Sequence, residues 1–489
     1  MLWLITLLSA YVFFGLFKLY QSTHFILAEE AIAENNTEVK IVILIPVLRE
    51  QEVILANIAH FSKLDGQYEL IYITSEKENS EKKQRRLSLT RVSRSIVETK
   101  LLDTFLEKLS GYLPRSRATK VFQDISEMSS EDASSYLLNE YDSLPSTAEM
   151  IDLYLEENVS PNVSRVHYPD IEGVMAHQLN YALGLLGGKY KEADTYVIIY
   201  NADSVVPDDV AGKFRNSVVK GENVILQSSL FLDNYQKFPE NWLGDIMRFV
   251  ALAQTRWTLI HEIPRVRRQY SGSFLSHFES AHVVGHGTCI SLKALLEIGG
   301  YPQNFTNEDL ALGYFLSLKG YKIASLKSLE NAESPNTLRG IIDQYKTWFY
   351  GAADYFAYRA YAIDQLAVSR YKATLWASIN SLKACIWLLA PWIWLASTAA
   401  AFASSGVAGI LVMILFFVHT SFSHFLIVRF LNRKKPDVAN LKKIRMTKSM
   451  VLIAPLAYFV WGIGPSLSLK SIFLSKMLGK RIKKGKTER

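Results

Sequence analysis

Two cysteines, Cys289 and Cys385, are all that 489 residues contain, which excludes a disulfide-stapled secreted scaffold. Cys385 lies inside an apolar run, so no bridge between the two is expected. Charge is sparse as well: charged residues make up 21% of the chain against 49% hydrophobic. That balance excludes a disordered or fibrous protein. There are no internal repeats and no low-complexity segment. A net charge of +7 would suggest nucleic acid if it were spread evenly, but much of the excess is terminal, so no nucleic-acid partner is expected.

What the chain has is long apolar runs. The first, Leu2 to Phe17, continues to Leu27 and reaches the ~20 residues that cross a bilayer. A signal peptide would carry a basic n-region and a small-residue cleavage site, and neither is present. Residues 1–28 therefore read as an uncleaved transmembrane anchor. Three further runs are Ala384–Phe402, Val407–Phe430 and Met450–Phe473. The region 374–430 is expected to hold two transmembrane helices. The third run, within 450–475, is interrupted by Pro455 and Gly464-Pro465. It reads as a span or a re-entrant hairpin, with a hairpin or interfacial helix favoured. Between the second and third runs, 431–449 carries Arg433, Lys434, Lys435, Lys442, Lys443, Arg445 and Lys448. Such a loop stays cytoplasmic, which places the 38–365 region in the cytoplasm too. The tail 476–489 is also basic. Sequons at Asn35, Asn158, Asn162 and Asn304 would suit a lumenal enzyme, but such triplets are common by chance. An integral protein of the cytoplasmic membrane is the expectation.

The middle of the chain alternates. VKIVILIP at 39–46, ELIYIT at 69–74 and TYVIIY at 195–200 are near-continuous apolar runs suited to strands buried on both faces. Helical patterns lie between them, so an α/β domain is expected. Ligands in such sheets bind beyond the carboxyl ends of the strands, here Pro46-Val47, Thr74-Ser75-Glu76 and Asn201-Ala202-Asp203. A charged, helix-patterned insertion occupies about 78–157, basic in front and acidic behind. It reads as a solvated decoration, with a partner-subunit surface as the other reading. Trp242, Ile246, Phe249, Val250, Trp257 and Ile260 give one helical apolar face, to meet either the membrane surface or the domain core.

Three constellations could carry chemistry. Asn201-Ala202-Asp203-Ser204 follows a buried strand, where a carboxylate can hold Mg²⁺ or Mn²⁺ against a diphosphate; Asp and Asn are also ordinary turn residues. Glu308-Asp309 opens a helix, either as dipole-favoured caps or as a general base at a cleft. Gln344-Tyr345-Lys346-Thr347-Trp348 offers an aromatic face for a sugar ring, or an aromatic helix meeting the membrane. His282 and His286 are four apart, but the segment reads as a strand and glycine turn, so a metal pair is not expected.

In order along the chain, these residues resemble a family. IPVLREQEVI at 45–54, YNADS at 200–204, VVGHGTCISLKALLEIGGYP at 283–302, FTNEDLALGYFLSLKGYKI at 305–323 and QYKTW at 344–348 resemble the motifs of membrane-bound family 2 glycosyltransferases. That family includes the cellulose, chitin and hyaluronan synthases. The resemblance implies an α/β GT-A domain, Rossmann-like and nucleotide-sugar-binding, plus transmembrane α-helices. It implies inverting transfer from a nucleotide sugar to a polysaccharide or lipid-linked acceptor at the cytoplasmic face. Asp309 would be the base, supported by Glu308. Asp203 would be the metal ligand, for Mg²⁺ or Mn²⁺. Pro46, Glu50, Glu76, Asn201, Asp203, Gln344 and Lys346 would face the donor. His286, Gly287 and Trp348 would face the acceptor.

The sequence departs from the family pattern at four places. Asn201 stands for the first aspartate of the DxD motif, Thr74-Ser75-Glu76 for an Asp-Asp-Gly-Ser-type segment with Glu76 in place of its base-reading acid, Met175 for a phosphate-facing lysine, and Thr347 for the arginine of QxxRW. Two rival readings therefore remain: a transferase adding one sugar to a lipid carrier, and a non-catalytic membrane scaffold that keeps the fold.

Overall fold

The structure is a computed structural model, and it describes residues 1–28, 39–99, 113, 115–125, 128–158, 160–434 and 436–478. The basic tail beyond 478 and the sequon at Asn35 lie outside the described residues.

A seven-stranded sheet forms the centre, in the order β3-β2-β1-β4-β7-β5-β8. Its strands are β1 (Lys40–Pro46), β2 (Glu69–Ser75), β3 (Val163–Tyr168), β4 (Thr195–Ile199), β5 (Val224–Leu226), β7 (Thr288–Ser291) and β8 (Ile323–Ser325). The first four are mutually parallel, and β7 runs antiparallel between β4 and β5. Helices Ile54–Phe61 and Met175–Lys189 pack on opposite faces. Ile41, Ile43 and Ile45 serve one face of β1, and Val42 and Leu44 the other, as a strand covered on both sides requires. A short second sheet pairs β6 (Ser229–Leu230) with β9 (Glu330–Asn331). This is an α/β domain with helices on both faces of its sheet, as the alternating sequence pattern predicts. The sequence pattern gives no sign of β3: VSRVHY has only two separated valines, because an edge strand is half exposed.

Between β2 and β3 come helices Glu76–Thr99, Arg115–Ile125, Ser130–Asp142 and Thr147–Glu157. The first three enclose their own small cluster, including Leu89, Val121, Ile125 and Leu137, whereas Ile151 of the fourth joins the core on the sheet.

Among the described residues, four helices are long and apolar enough to cross a membrane: Leu2–Leu27, Arg370–Ser404, Gly406–Lys434 and Lys448–Ser475. They expose Trp3, Phe13, Leu389, Ile410 and Leu452, the surface that lipid chains would cover. The last of them differs from the favoured hairpin, since Lys448–Leu478 is one continuous helix. Each proline frees the carbonyl four residues earlier, and neighbouring helices supply the missing donors. Ser421 Oγ donates to the Val451 carbonyl at 3.5 Å, and Trp387 Nε1 donates to the Trp461 carbonyl at 3.2 Å.

Helix Trp242–Trp257 continues through a π turn, Thr258–Glu262, into helix Ile263–Tyr270. Ile246, Phe249, Val250 and Ile260 share a cluster with Leu8, Val12 and Trp394 of the membrane-length helices, so the apolar face meets them rather than the sheet. The basic loop packs on the α/β domain. Leu329 N donates to Asp437 O at 2.9 Å, Asn331 Nδ2 to Ala439 O at 3.2 Å, and Tyr235 Oη to Arg445 O at 2.8 Å.

Candidate active site

A cleft of about 210 Å³ lies beyond the end of β4. Asp203, Glu308, Asp309, Gln344 and Trp348 all line it. They come from a strand end and from two helices, Glu308–Leu318 and Leu338–Ala353. A larger and more open depression of about 470 Å³ is lined wholly by residues of 82–156 and contains none of the motif residues.

Local chemistry explains each placement. After β4 the chain turns on Asn201, whose carbonyl takes Ser204 N and whose N–H meets Ser204 Oγ, both at 3.1 Å. That turn presents Asp203. Asp309 sits in the first turn of its helix, where its Oδ1 accepts from Leu310 N at 2.8 Å. Two glycines let this helix approach its neighbours. A Cβ on Gly313 would stand 2.4 Å from Val283 N, and one on Gly351 would stand 2.5 Å from Asn307 Cβ. Gly285 lies over the carboxylate: a Cβ there would be 3.6 Å from Asp309 Oδ2 and 3.7 Å from Met175 Cε. Gln344 Oε1 accepts from Gln254 Nε2 at 2.6 Å. Trp348 packs against Phe231 and Tyr345, ring centroids 6.0 and 5.7 Å away, and forms an aromatic wall.

Lys346 is not among the lining residues, whereas Thr347 is. Residues 344, 347 and 348 share one helix face, and 346 falls on another. There the backbone of Lys346 lies against Gly464, where a Cβ would come within 2.8 Å of Lys346 N.

Pro46, Glu50, Glu76 and Asn201 do not line the cleft. They ring the adjoining carboxyl edge of β1, β2 and β4. Glu76 faces His167 at 3.5 Å and accepts from Asn79 Nδ2 at 3.0 Å. Glu50 N donates to Thr147 Oγ1 at 2.9 Å. Buried Glu78 clamps this loop, accepting from Arg49 N at 3.0 Å, Gln51 Nε2 at 2.9 Å and Thr147 N at 2.8 Å. The inserted helices thereby hold the loop after β1. Sequence reasoning missed Glu78, because one more acid in a charged helix carries no signal.

His286 Nδ1 meets Glu330 Oε2 at 2.5 Å, and Ser229 Oγ lies 3.3 Å from the same nitrogen. Burial works against its charge, but the Glu330 carboxylate, with a contribution from Asp203, outweighs burial and raises its pKa to about 9. His286 is therefore an imidazolium at neutral pH. Gly287 has φ +63°, and a Cβ there would stand 2.6 Å from Gln227 O, so the turn requires glycine. His282 turns the other way, to Arg265 at 2.6 Å and Glu262 at 3.7 Å. Glu330, Glu333 and Ser334 are further residues that sequence reasoning missed; the Glu333-Ser334-Pro335 turn is the one signal that could have found the last two.

Residues 196–419 match a family model described as Glycosyl transferase family group 2. Over that region the chain is similar to family 2 glycosyltransferases. The match takes in β4, the cleft residues and two of the membrane-length helices in whole or part. Glucomannan 4-beta-mannosyltransferase 9 of Arabidopsis thaliana is 29% identical over 144 residues. That alignment covers 27% of this chain and 26% of the plant protein, so the chain spans about a quarter of the length of the curated relative it matches. Among solved structures, mannosyltransferase PcManGT from Pyrobaculum calidifontis, in complex with GDP-Man and Mn²⁺, aligns with a TM-score of 0.48 at 12% identity. The alignment covers 96% of this chain and 98% of that one.

Among the described residues, no group of three or more His, Cys, Asp or Glu side chains is placed to hold a metal ion. A divalent cation held only by protein does not fit. One shared between Asp203 and a donor diphosphate does fit, since hard cations in such sites keep phosphate and water oxygens in their shell.

Proposed function

We propose that this glycosyltransferase moves a hexosyl group from a nucleotide sugar to an acceptor hydroxyl with inversion at the anomeric carbon. The observation that carries the reading is the meeting of Asp203, Glu308, Asp309, Gln344 and Trp348 in one cleft. In this reading Asp309 accepts the proton of the acceptor hydroxyl. The acceptor oxygen forms a bond to the anomeric carbon as the bond from that carbon to the diphosphate breaks. Glu308 contacts the acceptor and supports Asp309. Trp348 stacks on the acceptor ring beside Gly285, whose lack of a side chain leaves the Asp309 carboxylate reachable. Asp203 would hold Mg²⁺ or Mn²⁺, which supplies charge to offset the leaving diphosphate. His286, held by Glu330, and Gly287 serve the acceptor side. Pro46, Glu50, Glu76, Asn201, Gln344 and Lys346 serve the donor side, although Lys346 and the first four stand outside the cleft itself.

The acceptor is a glycan or a lipid-linked sugar, and the reaction runs at the cytoplasmic face of the membrane. The packing of the basic 431–449 loop on the α/β domain supports that orientation, because positive loops remain inside. The plant relative's mannosyl activity makes a mannosyl donor the first to try. Asp309→Asn should abolish transfer while leaving the melting temperature near wild type; an active variant would remove Asp309 as the base. Product length decides between a synthase, which gives a ladder, and the single-addition rival.

A further inference from the structure

The boundary between the α/β domain and the apolar helices carries a cluster of cations that the reaction does not use. Glu279 is its centre. Lys383 Nζ lies 2.8 Å from Glu279 Oε2, Arg268 Nη1 3.0 Å from Oε1, and Arg265 Nε 3.6 Å from Oε2. Three cations therefore pair with one carboxylate, and the second nearby acid, Glu262, is turned to His282. The first helix, which carries Lys18, packs on the helix that carries Arg268: the neighbouring Arg267 Nη1 donates to the Gln21 carbonyl at 3.4 Å.

The exposures decide which charge the surroundings see. The Glu279 side chain is 7% exposed, while Lys383 is 41% and Arg268 32% exposed. The acid is inside and the cations face outward, so the net field leaving the cluster is positive. Lys383 is also the last charged residue before the apolar run Ala384–Phe402, and Lys18 is the single lysine or arginine of its helix. The cluster thus sits where apolar helices give way to polar protein.

An apolar turn flanks it. Phe274, Leu275 and Phe278 are 75, 58 and 40% exposed. The turn is fixed rather than loose, because Trp376 Nε1 donates to His277 O at 2.7 Å. Lys372 stands over the Trp376 ring at 4.4 Å. Aromatic rings beside lysines at the end of a spanning helix suit the headgroup level of a bilayer.

We propose that Lys18, Arg268 and Lys383 form a binding site for the phosphate of an anionic phospholipid, with the Phe274–Phe278 turn seated among the acyl chains beside it. The site rests on the reading of Leu2–Leu27 and Arg370–Ser404 as bilayer spans. It does not depend on the sugar chemistry. Two charges that Glu279 does not neutralise are the feature a lipid phosphodiester completes, and the exposed rings give its chains an apolar wall. Arg267, whose guanidinium lies 4.5 Å from the Phe25 ring centroid, adds charge about two turns further along the first helix.

The test uses the full chain in nanodiscs of phosphatidylcholine doped with phosphatidylglycerol, followed by mild detergent release and native mass spectrometry of retained lipid. Wild type should retain phosphatidylglycerol above its share of the mixture. Arg268→Gln combined with Lys383→Gln should lower that preference about fivefold per cation removed, the equivalent of about 1 kcal/mol each. Lys383→Arg should keep it. Wild-type protein that retains the two lipids in the proportion supplied would overturn the site without recourse to any variant. A prenyl phosphate retained more tightly than phosphatidylglycerol would overturn the choice of headgroup. Failure of the chain to enter nanodiscs at all would remove the membrane reading beneath it, whereas loss of sugar transfer alone would leave this proposal standing.

Discussion

At Gly285 the absence of a side chain decides what Asp309 can reach. Gly285→Val would put methyl groups beside the carboxylate, since its Cβ alone would already stand in contact with Asp309 Oδ2 at 3.6 Å. Transfer should fall by at least tenfold with thermal stability near wild type, measured by product formation beside a melt. Gly313→Ala should do the reverse kind of damage. Its Cβ would meet backbone atoms of His282 and Val283 at 2.4–2.6 Å, which cannot yield as a side-chain tip can. Destabilisation of about 1–3 kcal/mol is expected, and a melt within a degree of wild type would contradict it. His286 adds a pH dependence. Its folded pKa of about 9 exceeds the ordinary imidazole value of 6.5. Its contribution to stability is therefore complete below about pH 6.5 and is lost as pH rises through about 9. Melting temperatures taken with a chelator present should show that loss in wild type and a flatter profile in His286→Gln. These residues were unequally legible. Asp203, Glu308, Asp309, Gln344 and Trp348 stand at a strand end or on helices, positions that apolar patterning locates. Glu330, the partner that charges His286, stands in a two-residue strand with no pattern, and tertiary closure alone brings it there.

At the scale of elements, helix Lys448–Leu478 shows how a proline rule gives way to its surroundings. Pro455 and Gly464-Pro465 signal a break, and in an isolated helix each proline would leave a bare carbonyl. Ser421 Oγ and Trp387 Nε1 fill those positions from two other helices. No reading of the 450–475 segment by itself could have found them. Ser421→Ala together with Trp387→Phe should lower the melting temperature in detergent, by an amount equivalent to about 1 kcal/mol per lost donor. An unchanged melt would mean that the carbonyls are satisfied otherwise. The strands divide by the same logic. β1, β2 and β4 are covered on both faces and announce themselves as apolar runs. β3 lies at the sheet edge and β5 is three residues long, so neither makes a run. The helix Trp242–Trp257 was ambiguous from its apolar face alone, because membrane helices and a domain core ask for the same residues.

Over the whole molecule, three junctions fix which way the α/β domain faces. Phe25 meets Arg267 at the end of the first helix. Tyr314 Oη donates to Ala373 O at 2.6 Å near the start of Arg370–Ser404. The 431–449 loop joins β9 and the 229–238 segment. All three put the domain and the basic loop on one side of the apolar helices. A cysteine placed at Lys442 should be labelled by an impermeant thiol reagent only from the cytoplasmic side. Labelling from outside would reverse the proposed orientation. The central claim is that this side carries a metal-assisted sugar transferase, and one measurement tests it most directly. Purified protein in detergent with Mn²⁺ would be given a panel of nucleotide sugars, mannosyl donors first, and assayed for free nucleotide and direct donor binding. The account predicts release from one donor, abolished in Asp203→Ala. Absence of both release and binding across the panel would contradict it and leave a membrane scaffold that keeps the fold without the reaction.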